Sequence, residues 1–297
     1  RSTYYAWKKR YKDFGFEGLE DKKPIPKKQW NAVAEEEKST ILAKANEQTE
    51  KSSRELSFAI TDSEGFFVSE SSVFRILKSE GLIRAQDISS FPAGKEYSNK
   101  PTYVNEQWQT DATYLHVMGW GWFYLISVLD DFSRKILSWK LQSSMTDEDF
   151  AEVIQDAVSF LGLEVDERPN LVSDRGPALI SKGLGSYLQG EGIHHILASP
   201  YHPQTNGKIE RYHKSLKSVV KQHVYDCPNV LKEAIGKFIS YYNKDRYHES
   251  LDNVTPDDVY YGRRELILEQ REELKMKTLR GRKIYNLGAC ATHVALG

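Results

Sequence analysis

Ser199-Pro200-Tyr201-His202-Pro203-Gln204-Thr205-Asn206-Gly207-Lys208-Ile209-Glu210-Arg211-Tyr212-His213-Lys214 reads as a stiff, proline-bounded loop entering an amphipathic helix. Pro203 holds His202 extended, because its ring crowds a helical residue before it. Thr205 or Asn206 is placed to cap the helix. Two stripes run on from there. Ile209, Tyr212, Leu216, Val219 and Val220 recur at helical spacing and form the expected core face. Glu210, Lys214, Lys217 and Lys221 follow at helical steps on a neighbouring stripe. The helix dipole favours an ionised carboxylate near its N-terminus. Lysines behind that carboxylate suit a phosphate backbone. A solitary glutamate on a helix is ordinarily a solvated surface group, so the reading turns on its company.

Two aspartates supply that company. Val172-Ser173-Asp174-Arg175-Gly176-Pro177 puts Asp174 at the end of a short apolar strand, before a turn. Trp108-Gln109-Thr110-Asp111-Ala112-Thr113 puts Asp111 inside a strand-like run. Thirty-five residues separate Asp174 from Glu210.

The elements between them follow from pattern. Strands are expected over 108–117, 122–129 and 135–141, joined by turns at 118–121 and 130–133. The run 122–129 is continuously apolar, as a strand buried on both faces requires. Thr146 caps a helix over 147–161 with acids in its first turn. A strand over 171–173, a helix over 178–189 and a strand over 193–198 complete the series. Strand, strand, strand, helix, strand, helix, strand, helix is an α/β order with a mixed sheet. With the first and fourth strands adjacent, Asp111, Asp174 and Glu210 converge.

Three carboxylates brought together repel one another unless cations sit between them. Hard divalent ions take oxygen ligands, and Mg²⁺ keeps only a few carboxylates beside water and phosphate. Two such ions ~3.5–4 Å apart can activate the attacking oxygen of a phosphodiester exchange and stabilise the leaving one. His194-His195 lies in a strand-like run without a cysteine pair nearby and reads as structural. Asp130 and Asp131 read as turn-capping residues.

Upstream, residues 1–30 are basic and aromatic, with Tyr4, Tyr5, Trp7, Lys8, Lys9 and Arg10, and read as a partial helical segment. Residues 31–84 hold a helix over 35–47 and then two short helices around Asp62-Ser63-Glu64-Gly65. The second runs over 72–80, is capped by Ser69 or Ser71, and stops at Gly81. This is a small all-α helix-turn-helix domain, with Ser71, Ser72, Arg75 and Lys78 on the exposed side as groove-compatible types. Residues 85–102 form a linker, 103–225 the α/β core, 226–262 a helical extension and 263–297 a basic tail.

The formal net charge is −1, so no global basic signature is present. The distribution is uneven: the balance is +1 over residues 1–110, −7 over 111–205 and +5 over 206–297. An acidic middle before a basic end fits a cation site beside a polyanion surface. Cys227 and Cys290 are far apart, which excludes a disulfide framework and a cysteine zinc site and suits a reducing, cytoplasmic setting. No apolar run reaches the ~20 residues of a membrane helix. The chain begins at Arg1 rather than Met, from which a preceding DNA-binding or oligomerising segment is expected.

Together these motifs resemble the catalytic core of bacterial insertion-sequence transposases, which belong with retroviral integrases in the superfamily built on an Asp, Asp, Glu triad. The thirty-five-residue gap agrees, as do Val68 to Leu77 upstream and Tyr242-Asn243, Arg246, His248, Leu251 and Thr255-Pro256 downstream. The resemblance implies a ribonuclease-H-like five-stranded mixed sheet with flanking helices. It also implies two Mg²⁺ or Mn²⁺ ions on Asp111, Asp174 and Glu210, and metal-dependent cleavage and strand transfer at the ends of a mobile element. Tyr201, His202, Gln204, Asn206, Lys208 and Arg211 fall where the family meets the DNA end, and Lys214, Lys217 and Lys221 continue the surface. The implied partners are double-stranded DNA, both element ends and target, and further copies of the chain. The histidine–cysteine zinc module of retroviral integrases is absent from the sequence, leaving end recognition to the helix-turn-helix. Two other readings compete: a DNA-binding regulator whose core no longer catalyses, and a ribonuclease-H-type nuclease acting on hybrids.

Overall fold

The computed structural model describes residues 2–19, 29–83, 101–162, 167–198 and 206–294. The chain divides into two compact units, one of Arg1–Thr40 with Met276–Gly297, the other of Ile41–Lys275.

In the first unit, helix α1 (Ser2–Phe14) stops at Gly15, whose φ of 63° suits a residue without Cβ, and continues as one 3-10 turn. Tyr4, Tyr5 and Trp7 are exposed along α1. Helix α2 (Glu35–Glu47), whose residues to Thr40 belong to this unit, opens on three glutamates, and Glu37 accepts from the Ala34 backbone N–H at 2.9 Å. The basic tail, in which Arg263 to Lys283 suited a helix along DNA and a solvated tail equally, holds a long helix, Arg264–Val294, whose residues from Met276 on belong to this unit. Within this unit Arg282 pairs with Glu37 at 2.9 Å, and Asn286 donates to the carbonyls of Trp30 and Ala32.

The second unit opens with α3 (Ser53–Ser63) and α4 (Glu70–Ser79). Ser52 and Glu55 form a reciprocal capping box on α3, and Ser69 caps α4. Gly65, at φ 70°, makes the turn between them. Leu56, Ile60, Val68, Val73 and Leu77 are buried in the hairpin. Arg271 holds α3 through two 2.7 Å bonds to Asp62 and lies over the Phe58 and Tyr247 rings.

The sheet contains β1 (Gln107–Val117), β2 (Gly121–Asp130), β3 (Ile136–Gln142), β4 (Asn170–Ser173) and β5 (His195–Leu197), in the order β3-β2-β1-β4-β5. β1, β2 and β3 pair antiparallel, while β4 and β5 run parallel to β1. Alternate residues of each strand face opposite sides, and both sides are covered. Leu115, Val117, Leu125 and Leu129 pack under the helices that here become α7 (Gly207–Val220) and α8 (Pro228–Lys244). Trp108, Ile126 and Val128 pack under α5 (Asp147–Leu161) and α6 (Lys182–Gly190). This is the ribonuclease-H-like arrangement that the resemblance implies, a mixed five-stranded sheet with flanking helices.

Four sequence expectations need correction. β2 is buried on both faces only from Leu125 onward; its first residues extend past the helices, and Trp122 is exposed. The helix expected from residue 178 begins at Lys182, because Ser181 caps it while donating to Asp147 at 2.7 Å. Val219 is 45% exposed, and His213 takes the inward place on α7 instead. Asn206 stands at the N-cap of α7 but makes no side-chain cap bond; Thr205 lies outside the described residues.

The segment after α8 is tied to the sheet by polar groups. Asn243 brackets Ile136, accepting from its N–H at 2.9 Å and donating to its carbonyl at 3.0 Å. Lys135 is buried against Asp257 of α9 (Pro256–Tyr260) at 2.6 Å and lies over the Tyr260 and Tyr261 rings.

Candidate active site

Three elements carry the three carboxylates. Gln109 of β1 pairs with Val172 of β4 in a parallel register, and two residues further along each chain stand Asp111 and Asp174. Asp111 accepts from the Ala112 N–H at 2.8 Å. Asp174 accepts from the Gly176 N–H at 2.8 Å, an Asx turn that lifts it off the end of β4. A Cβ on Gly176 would stand 3.1 Å from the Asp174 Oδ1, so glycine keeps this turn tight. Glu210 sits in the first turn of α7, whose Ile209, Tyr212, Leu216 and Val220 bury into the sheet.

Glu210 and Asp174 are exposed and Asp111 is half-buried, so the site is open to solvent. Partial burial pushes the Glu210 carboxyl above its ordinary range, with the Asp111 and Asp174 charges adding to the push and His213 opposing it. Both aspartates therefore act on the glutamate through space. Among the described residues, Asp111, Asp174 and Glu210 included, no group of three or more His, Cys, Asp or Glu is placed so that it could hold a metal ion. The donors are carboxylate oxygens throughout, the set that hard divalent cations take.

The remaining candidate residues divide. Arg211, Lys214 and Lys221 are exposed on α7, and Lys217 lies over the Tyr114 ring at 4.6 Å. Ser71, Arg75 and Lys78 are exposed on α4, while Ser72 is half-buried and bonded to Ser69 at 2.9 Å. Arg75 folds back on its own helix, donating to the Ser71 carbonyl. Asn206 is buried. Lys208 turns inward, its ammonium 2.8 Å from both Asp131 Oδ1 and the Asp131 carbonyl. Tyr201, His202 and Gln204 lie outside the described residues. His195 is half-buried and shares a 2.8 Å hydrogen bond with Ser173, a structural place. Asp130 caps its turn, accepting from Ser133 N–H and Oγ and from Asn105 N–H.

Residues 101–203 match the family model Integrase core domain, and residues 191–256 match a second model of the same description. Residues 101–256 are thus similar to integrase core domains. Residues 3–77 match the Homeodomain-like domain model, from α1 into α4. The transposase for insertion sequence element IS904 of Lactococcus lactis is 29% identical over 163 residues, which is 54% of this chain and 62% of that protein. InsK for insertion sequence element IS150 of Escherichia coli is 29% identical over 159 residues, 53% of this chain and 55% of that protein. The Gag-Pro-Pol polyprotein of Human T-cell leukemia virus 2 is 29% identical over 143 residues, 48% of this chain and 9% of the polyprotein. The match therefore spans 62% or less of the length of these curated relatives. Among solved structures, the HTLV-2 integrase catalytic core domain has a TM-score of 0.44 and 23% identity over 54% of this chain and 98% of that one. Among the described residues no helix is long and apolar enough to cross a membrane.

Within residues 101–256, the sequence did not point to three residues that hold the site. Asp131 is buried and accepts from Gln107 Nε2 at 3.1 Å, from Gln109 Nε2 at 2.8 Å and from Lys208. Gln109, also buried, accepts from the Ile209 N–H at 3.1 Å, one of the donors a helix N-terminus leaves without an intrahelical partner. A chain of hydrogen bonds thus runs from the β2–β3 turn through β1 to the residue before Glu210. His213, one turn after Glu210 and 5% exposed, places Nδ1 3.4 Å from Asp111 Oδ2. The helical spacing of His213 from Glu210 was legible; that the ring turns inward to Asp111 was not.

Proposed function

We propose that the protein is a DNA transposase, a polynucleotidyl transferase that cuts and joins strands at the ends of an insertion sequence. Asp111, Asp174 and Glu210 hold the divalent cations in this reading, Mg²⁺ or Mn²⁺, two in the active complex. The observation that carries it is the placement of the three carboxylates: Asp111 and Asp174 stand two residues beyond the paired Gln109 and Val172 of adjacent parallel strands, and Glu210 lies in the first turn of the helix packed on that sheet. Ions bound there supply activation of the attacking oxygen and charge stabilisation at the leaving one. The chain does the positioning. The Gly176 N–H fixes the Asp174 carboxylate, His213 backs Asp111, and the Gln109 bond to Ile209 sets where α7 begins. Arg211, Lys214, Lys217 and Lys221 lie along the helix that carries Glu210 and supply positive charge for phosphates. The α3–α4 hairpin presents Ser71, Arg75 and Lys78 outward for groove contact. Double-stranded DNA is the partner, and more than one copy of the chain is needed to bring two ends together. The relatives named transposases and the integrase core match support this assignment.

The test is strand transfer by the full chain on a duplex carrying the element end, with Mg²⁺ present. Asp174→Asn is expected to remove both cleavage and joining while end binding persists. Retained transfer overturns the proposal, and end binding by the native chain without any metal-dependent cleavage supports a regulator instead.

A further inference from the structure

The β1–β2 hairpin carries an exposed aromatic face that the carboxylate chemistry does not use. Tyr114 and Trp122 are 58% and 56% exposed and meet edge to face, with centroids 5.5 Å apart and planes at 76°. His116 meets the same Trp122 ring at 5.0 Å. At the turn, Gly119 and Gly121 adopt φ of 76° and 91°, and Trp120 donates from Nε1 to the Asp226 carbonyl at 3.1 Å. These rings are held by one another, and each is more than half exposed. An aromatic cluster of this kind, left uncovered, marks a binding surface.

Charge identifies the occupant. Residues 112–129 contain no Asp, Glu, Lys or Arg. The cation comes from α7: Lys217 lays its ammonium 4.6 Å from the Tyr114 ring centroid, and Lys221 follows one turn later. Lys217 also stands two turns beyond Glu210, and Tyr114 three residues beyond Asp111 on the same strand. Asp111 and Tyr114, an odd number of residues apart on β1, face opposite sides of the sheet, and Lys217 of α7 is what links the aromatic cluster to the helix that carries Glu210. Rings beside lysines, with no carboxylate among residues 112–129, fit a strand of nucleic acid whose bases are free to stack. A paired duplex keeps its base faces stacked inside and offers only its edges.

We propose that Tyr114 and Trp122 form a stacking platform for unpaired nucleotides of the DNA strand next to the phosphodiester held at the carboxylates, with Lys217 and Lys221 neutralising its phosphates. This rests on the reading of the site as a DNA-processing one, but the test separates the two. Binding of a fluorescein-labelled duplex with five unpaired nucleotides at one end is compared with a blunt duplex of the same sequence, by anisotropy in EDTA with the full chain. Trp122→Ala and Tyr114→Leu are each expected to weaken the unpaired probe by about 5- to 100-fold. The blunt duplex should change by less than about threefold, since backbone contacts serve both probes. Trp122→Phe should restore most of the loss, and Asp174→Asn should keep the discrimination between probes. Equal losses on both probes, or none, overturn the platform. Preserved discrimination in Trp122→Ala, together with a shift from dimer to monomer in sedimentation, would instead make this face a contact between copies. Should Trp122→Ala fail to fold, Tyr114→Leu and Trp122→Phe carry the comparison alone.

Discussion

Gln109 joins Asp131 to the start of α7: its Nε2 donates to Asp131 Oδ1 at 2.8 Å while its Oε1 accepts from the Ile209 N–H at 3.1 Å. Asp131 also neutralises Lys208, whose ammonium burial alone would drive toward the neutral form. Removing one member of a buried pair strands the other without compensation. Asp131→Ala is therefore expected to destabilise the core by about 3 kcal/mol in urea unfolding. Gln109→Ala should cost about 1–2 kcal/mol, the scale of an unmade buried hydrogen bond. If α7 is set by this bond, Gln109→Ala also lowers kcat more than it raises KM, and Gln109→Glu fails to restore it. Unchanged kcat would reduce Gln109 to a packing residue.

Glu210→Gln separates activity from stability. The native carboxyl is partly desolvated and repelled by two aspartates. Gln removes that repulsion and keeps the volume. In metal-free buffer the variant is expected to unfold at the same denaturant concentration as the native chain or slightly higher. Added Mg²⁺ should raise the native Tm through binding to the folded state and leave the variant's almost unchanged. Strand transfer should fall at least ~100-fold, the scale for losing a group that organises transition-state charge. Equal Mg²⁺ shifts in both proteins would place the cation elsewhere.

His248 makes the fold sensitive to acid. It follows α8, meets the Tyr242 ring at 4.8 Å, and is pushed down to about 3, by burial first and then by Arg246, Arg134 and Arg54. The unfolded imidazole titrates near 6.5. Between these values the unfolded chain holds a proton the folded one refuses, so stability falls as pH falls through that window. The slope approaches ~1.4 kcal/mol per pH unit from this group. His248→Gln should flatten the dependence of the urea midpoint on pH between about 6.5 and 4. An unaltered profile would assign the acid sensitivity to other groups.

Leu216 and Val219 test the facing of α7. Leu216 is fully buried under the sheet, whereas Val219 is exposed. Leu216→Ala is expected to cost about 2–5 kcal/mol and Val219→Ala less than ~0.5 kcal/mol in chemical unfolding. Comparable costs would mean that α7 is rotated from the orientation described.

The sequence by itself determined the order of the sheet's strands and helices, the Thr146 and Ser69 caps, and the three carboxylates' places on those elements. Strand alternation, the Thr146 capping box and the Gly-bearing turns are local, and each is written in the residues that form it. Periodicity on α7 named four of its buried apolar residues, but it could not choose between Val219 and His213 at the margin of the stripe. That choice depends on what faces the helix, and Asp111 faces His213. The ion pairs of Arg271 with Asp62 and of Arg282 with Glu37 join residues more than two hundred positions apart, so the basic run that the sequence left open between helix and tail is a helix whose partners no local pattern could name. The Gln109–Asp131–Lys208 network was equally hidden, because Gln, Asp and Lys are surface types until a sheet and a helix close over them. Local pattern fixes which backbone each residue adopts; only packing across distant segments decides which polar groups lose water and must find one another.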